Sequence, residues 1–330
     1  MAVVKIASAA IGALLIAGAA HAGEVIDVAV RDGVTESVLL VNPGVSQPKA
    51  IVISFVGGKG AINLARRVRN GGIHFGRGAN FLVRVRSDVA SSDIVDAIVD
   101  APSDLLPGGM TDDFRAGATH AADIGKVIDE LQKRYAGAPV YLLGTSRGTI
   151  SVANLSVRLG PRVKGAILTS TVTRADRVGP ALSRFNFSDI KASVLFVHHH
   201  DDGCFSSPYE GARKAAGDSP FVTVHGGSPP ESDPCQPLAA HGFFGREPPV
   251  VEVIHNFILG REYAREIAAL RPAERRPSST ALSSTPLLRS LPGQSSRPAN
   301  YGSSPYAKID SRIDGCRSTA WTQVVGDSRT

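Results

Sequence analysis

Beyond residue 22 the sequence has no apolar run long enough to span a bilayer, so the mature chain is expected to carry no transmembrane segment. Nor does its body carry an excess of one charge: residues 23–270 hold 26 Lys and Arg against 26 Asp and Glu. The formal net charge of +6 comes from Lys5 and from residues 271–330, where nine basic residues face four acidic ones. A neutral body gives no reason to expect a polyanion, and no nucleic-acid partner is expected. No internal repeat is visible. Cysteine is scarce, at three residues: Cys204, Cys235 and Cys316.

What is present begins with an apolar run from Ile6 to Ala20 behind the lone Lys5, closing on the small-x-small triplet Ala20, His21, Ala22. This reads as a secretory signal peptide over residues 1–22, cut after Ala22; an uncleaved anchor is the competing reading, and the run is short for a span. The mature protein is therefore expected to be exported, periplasmic or secreted, with no stable membrane insertion. In such a compartment two cysteines are expected to pair. Cys204 and Cys235 belong to the globular part and Cys316 to a tail, so the first two are the expected bridge, with buried free thiols as the alternative.

The rest is ordinary globular composition, 43% hydrophobic and 20% charged. Apolar runs bounded by turn residues, such as "KAIVISFVGG", "PVYLLGTS", "GAILTSTV" and "SVLFVHHH", read as strands. Helical periodicity fills Asp113–Tyr135, Gly148–Leu159, Pro208–Ala216 and Glu247–Leu259. Alternating strands and helices predict an α/β fold: a mostly parallel central sheet flanked by helices on both faces, its first two strands an antiparallel edge hairpin. This domain is placed at residues 23–270. Twelve serines and six prolines in residues 271–330, without periodicity, predict a low-complexity, disordered tail; an altered reading frame and a partner-binding tail are equally compatible with that composition.

Chemistry concentrates in Gly144, Thr145, Ser146, Arg147, Gly148, a G-x-S-x-G pattern between a strand and a helix. On so sharp a turn the serine is strained and lifted clear of the sheet, and its flanking positions must be small. The N–H of Arg147, at the start of the next helix, can then bind a developing oxyanion. A helix N-cap serine is the plainer reading of the same residues.

A base and an acid follow. "SVLFVHHHDDGCFSSP" is a buried strand ending in Asp201 and Asp202, and "PLAAHGFFGREPP" sets His241 in a loop before an amphipathic helix. The order Ser146, Asp, His241 with a strand-turn-helix at the serine resembles the α/β-hydrolase superfamily over roughly residues 24–265, in its exported, lidless branch of small serine hydrolases. The resemblance implies Ser146 as nucleophile, His241 as base and Asp202 as the acid that orients it, with Asp201 as the alternative acid. It implies a second oxyanion donor in "SFVGGKG", the N–H of Gly58 or alternatively Gly57. A Cys204–Cys235 bridge would then staple the acid loop to the base loop.

The implied activity is hydrolysis of a small or exposed ester through an acyl-enzyme. An amidase or peptidase with the same triad and a non-catalytic binding protein on the same fold are the alternatives. No cofactor, metal, nucleotide or flavin is expected: three consecutive histidines, His198 to His200, cannot all face one ion from a strand, and a polar, exposed strand end is the reading preferred for them. Arg147 is expected to pair with a nearby acid or run into solvent rather than hold a substrate carboxylate. His74 and His120 are expected at the surface or satisfied in packing, and Arg66, Arg67 and Arg69 on a solvated helix face. Residues 173–191 are too few for a large cap, which predicts an open site shaped by Phe185, Phe187, Phe243 and Phe244, with ordinary core packing as the plainer reading of those aromatics. The sequence leaves the oligomeric state open.

Overall fold

Alternation along the strands sets the two faces of the molecule. In the segment Ala50–Phe55, Ile51, Ile53 and Phe55 enter one apolar cluster while Ala50 and Val52 enter another on the opposite side. A strand buried on both faces belongs in the middle of a covered sheet, and that is where this one lies. The structure, a computed structural model, describes residues 23–64, 80–106 and 108–269. The predicted signal peptide, the run with Arg66, Arg67, Arg69 and His74, and the tail with Cys316 fall outside those residues.

In chain order the elements are β1 (Glu24–Arg31), β2 (Val34–Val41), β3 (Ala50–Phe55), α1 (Phe81–Arg84), α2 (Arg86–Val89), β4 (Ile94–Val99), α3 (Asp112–Ala116), α4 (Ala118–Arg134), β5 (Val140–Thr145), α5 (Gly148–Arg158), β6 (Gly165–Thr169), β7 (Ser193–His199), α6 (Tyr209–Ala216), β8 (Phe221–Val224), α7 (Glu247–Ile258) and β9 (Glu266–Ile267). Among the described residues nine strands form one sheet, ordered β1-β2-β4-β3-β5-β6-β7-β8-β9. The hairpin β1–β2 occupies one edge and β2 joins β4 antiparallel; from β4 onward all neighbours are parallel. Apolar residues of α4, α5 and α6 pack on one face, and those of α1, α2 and α7 on the other.

Strand order reverses at β3, which has β4 on one side and β5 on the other. The chain leaves β3 toward one face and β5 toward the opposite one, so a crevice opens at their C-terminal ends. That crevice is where a parallel sheet of this kind can build a site.

Two elements differ from the sequence expectation. The helix predicted over Asp113–Tyr135 is two helices, α3 and α4, because Gly117 is extended at ψ 160° and Thr111 caps the first by accepting the Phe114 N–H at 3.1 Å. The break turns Asp112 and Arg115 into the interior. The edge strand β9 is only two residues long, too short for any period to announce it.

Asp96 on β4 is fully buried beside Ser54 of β3, whose hydroxyl donates to its Oδ1 at 2.6 Å, while Oδ2 has no partner among the described residues. Burial pushes its pKa up to about 7, against the lowering by Ser54 and Arg86. A folded pKa raised above the unfolded value means a contribution fully present below about pH 4 and lost as pH rises through about 7. Relative to wild type, Asp96→Asn should therefore gain stability between pH 4 and pH 8, by about 4 kcal/mol at most. Urea unfolding of both proteins at the two pH values measures that difference; a flat difference would mean that Asp96 is ionised in the folded protein.

Candidate active site

Ser146 closes β5 and leads into α5 with φ 53°, a left-handed conformation that costs a non-glycine residue about 1 kcal/mol or more. The turn is possible only because the helix meets the sheet without side chains in the way. A methyl group on Gly148 would sit 2.0 Å from Phe55 O, and one on Gly144 2.6 Å from Gly148 O. Hydrogen bonds hold the turn from both sides: the Ser146 N–H donates to Thr169 O at 3.0 Å, and Ser146 O accepts from the N–H and hydroxyl of Thr149 at 2.9 and 2.6 Å. The side chain of Ser146 faces a cleft of about 380 Å³ that also receives Gly57, Gly58, Asn80 and His241.

The loop after β3 reaches the cleft as a tight turn in which Gly60 N–H donates to Gly57 O at 3.2 Å. Two buried groups beneath it fix its shape. Arg115 donates through one guanidinium nitrogen to Val56 O and Gly58 O, both at 3.2 Å, and through another to Ser151 Oγ at 2.9 Å. Asp100, at the end of β4, accepts the N–H groups of Ile62 and Leu64 at 2.7 Å each. With Val56 O turned to Arg115, the trans peptide points the Gly57 N–H the other way. The N–H groups of Gly57, Gly58 and Arg147 have no hydrogen-bond partner among the described residues. Neither Arg115 nor Asp100 carries a motif, and on one continuous helix Arg115 would lie opposite the stripe of Ile124, Ile128 and Leu131.

On the other wall His241 Nδ1 lies 2.9 Å from Asp202 Oδ2, and its buried Nε2 has no partner among the described residues. The Asp202 side chain is fully buried and further held by the Cys204 N–H at 2.9 Å and the Ser207 hydroxyl at 3.0 Å, with His198 Nε2 at 3.4 Å. Burial alone would raise its pKa; hydrogen bonds from His198 and His241, with their charges, outweigh it and hold the carboxyl well below the usual range. Asp201 points away, two-thirds exposed and paired with His200. The backbone of His241 is pinned too: its carbonyl accepts the Ser170 hydroxyl at 2.7 Å, and Arg84 donates to Pro237 O and Gly242 O on either side.

Cys204 and Cys235 form a disulfide, and both line the cleft. It joins the loop of Asp202 to the loop of His241. Closing a loop of 31 residues contributes about 3 to 4 kcal/mol in the chain-entropy account.

Several sequence expectations need correction. None of Phe185, Phe187, Phe243 and Phe244 lines the cleft: the first two border a separate cavity of about 850 Å³ beside α6, and Phe243 is buried against Phe81. His120 is neither exposed nor satisfied. It is wedged between Phe55 and Phe114 with both ring nitrogens unpartnered among the described residues, and burial, reinforced by the charge of Arg115, lowers its pKa to about 3. Of the three adjacent histidines only His200 is exposed; His198 turns to Ser207 O and His199 to Gly226 O, so the strand end is mostly buried. Arg147, by contrast, pairs with nearby acids as expected, with Asp112 at 2.5 Å and with Asp176, so its charge is already compensated within the protein. Asp176 is pushed up by burial, but the Val178 and Gly179 N–H groups and Arg147 hold it below the usual carboxylate range.

A sheet reversing at β3, a serine turn after β5, an acid after β7 and a histidine before the last helix together make this the α/β-hydrolase fold. Est1E from Butyrivibrio proteoclasticus, solved with ferulic acid bound, matches it with a TM-score of 0.51 at 16% identity, over 72% of this chain and 98% of that one. An α/β serine hydrolase homologue from Coxiella burnetii matches at 0.48 and 15% identity, over 71% and 96%. An α/β serine hydrolase without a lid from Xanthomonas campestris matches at 0.46 and 11% identity, over 72% and 94%. At these identities the likeness is one of fold. No protein-family description matches the sequence, and no curated protein does.

Proposed function

We propose that this chain is an exported serine hydrolase that cleaves a small or exposed ester through an acyl-enzyme on Ser146. The observation that carries the proposal is a serine at φ 53° sharing one cleft with a histidine whose far nitrogen is 2.9 Å from a buried carboxylate. In this reading Ser146 Oγ attacks the ester carbonyl while His241 Nε2 takes its proton. Asp202 holds the other ring nitrogen and stabilises the imidazolium. The carbonyl oxygen, now an anion, is bound by the N–H of Arg147 and that of Gly58 or Gly57. Collapse expels the alcohol, protonated by His241; water, deprotonated by the same histidine, then releases the acid and frees Ser146.

The compensated charge of Arg147 supports a neutral substrate rather than one recognised by a carboxylate beside the scissile bond. The disulfide between the two loops supports work outside a reducing compartment. A fluorophosphonate probe followed by intact-mass measurement tests the proposal. One adduct per chain, absent in Ser146→Ala, is the expected result, and a panel of esters and amides then sorts the leaving group. A folded, disulfide-bonded protein that takes up no probe would turn the reading toward a binding protein on a hydrolase fold.

A further inference from the structure

The side chain of Asn80 reaches the cleft from the N-terminal side of α1, and the mechanism above gives it no task. Its two ends are distinguishable. Oδ1 accepts the Leu82 N–H at 3.1 Å, which fixes the amide orientation and turns Nδ2 outward. Nδ2 has no hydrogen-bond partner among the described residues. It ends beside the nucleophile: a Cβ built on Gly57 would be crowded, 3.0 Å from Asn80 Nδ2, 2.9 Å from Ser146 Cβ and 3.1 Å from Thr145 O, so the amide and the nucleophile close together on the candidate oxyanion loop. Glycine at position 57 lets the amide and the serine approach the loop that closely.

Resting on the hydrolase reading, we infer that Asn80 is a further catalytic residue, whose Nδ2–H donates to the anionic oxygen formed when Ser146 adds to the carbonyl. It supplements the backbone N–H groups of Arg147 and the Gly57–Gly58 loop. A side-chain amide locked by its own carbonyl is pre-oriented, so it stabilises charge that exists only in the transition state without reorganising. The same locking separates this role from that of an ordinary helix cap, since the cap uses only Oδ1.

The test compares the full chain with Asn80→Ser and Asn80→Asp, both of which keep an oxygen able to cap Leu82 and lose the amide donor. With p-nitrophenyl acetate, kcat/KM of Asn80→Ser is expected to fall roughly 100-fold, through kcat rather than KM, with Tm unchanged. Asn80→Asp, which places a carboxylate beside the developing anion, falls further. Inhibition by a trifluoromethyl ketone, which captures the serine as an oxyanion, weakens in parallel with kcat/KM, whereas inhibition by acetate does not move. An Asn80→Ser protein that labels with fluorophosphonate and hydrolyses the ester at the wild-type rate overturns the inference alone. A wild type that neither labels nor hydrolyses overturns the hydrolase reading and this inference with it.

Discussion

Ser146→Ala and His241→Ala should each lower ester turnover by about 10⁶-fold, and the double substitution by no more, because nucleophile and base act as one unit. Asp202→Asn should cost less, about 10⁴-fold, since it leaves the ring in place but favours the wrong tautomer. Asp201→Asn should leave the rate near that of wild type, as its carboxyl faces solvent and His200. Steady-state kinetics on one activated ester, with circular dichroism to establish folding, decides between these. Equal damage from Asp201 and Asp202 would place the acid elsewhere than the 2.9 Å contact with His241 does.

Arg115→Met should be the second large effect, and it joins stability to rate. The side chain is fully buried, and its donors serve Ser151, Val56 O and Gly58 O at once. Burial lowers its pKa to about 10, against the raising by Asp112, so it stays charged at neutral pH. Removing it leaves Val56 O, Gly58 O and Ser151 Oγ without that donor, at about 1 to 3 kcal/mol for each group left unsatisfied, which urea unfolding reads directly. At a temperature where the variant is folded, kcat should fall more than KM rises, because the Val56–Gly57 peptide that Arg115 anchors carries the Gly57 N–H, a candidate oxyanion donor. Arg115→Lys should recover the charge but little of the rate, as an ammonium cannot span the three acceptors in a planar fork. Wild-type stability with full activity in Arg115→Met would mean that the loop holds its shape without the arginine.

The legible part of this molecule was whatever depends on neighbours in sequence. Gly144 and Gly148 mark the serine turn because crowding between a strand and the helix that follows it is a local affair, and the apolar runs of β3, β5, β6 and β7 mark the sheet for the same reason. The choice between Asp201 and Asp202 stayed open because alternation along a strand assigns faces only once the exit register is known. Arg115, Asp100 and Asn80 were illegible: each meets its partner through the sheet reversal, and nothing in "DDFRAG", "VDAPSD" or "GANFLV" announces that contact. Gly117, a glycine inside a helical pattern, is the sequence sign of the break that carries Asp112 and Arg115 inward. The aromatic residues misled for the opposite reason, since hydrophobicity alone cannot tell a cleft wall from a core.

Strand β3 pairs with β4 along one edge and with β5 along the other, and β5 arrives in the chain long after β3 has been made. Such a pairing must first meet the entropy of closing a long loop, which places it late and makes it slow. The serine turn and the loop facing it belong to the two strands of that seam, and the closest approach in the turn, Gly148 against Phe55 O, crosses it. Local segments of the chain, however well formed, contain no fraction of the cleft. A chain in which that seam has not closed carries every residue of the site and has no site.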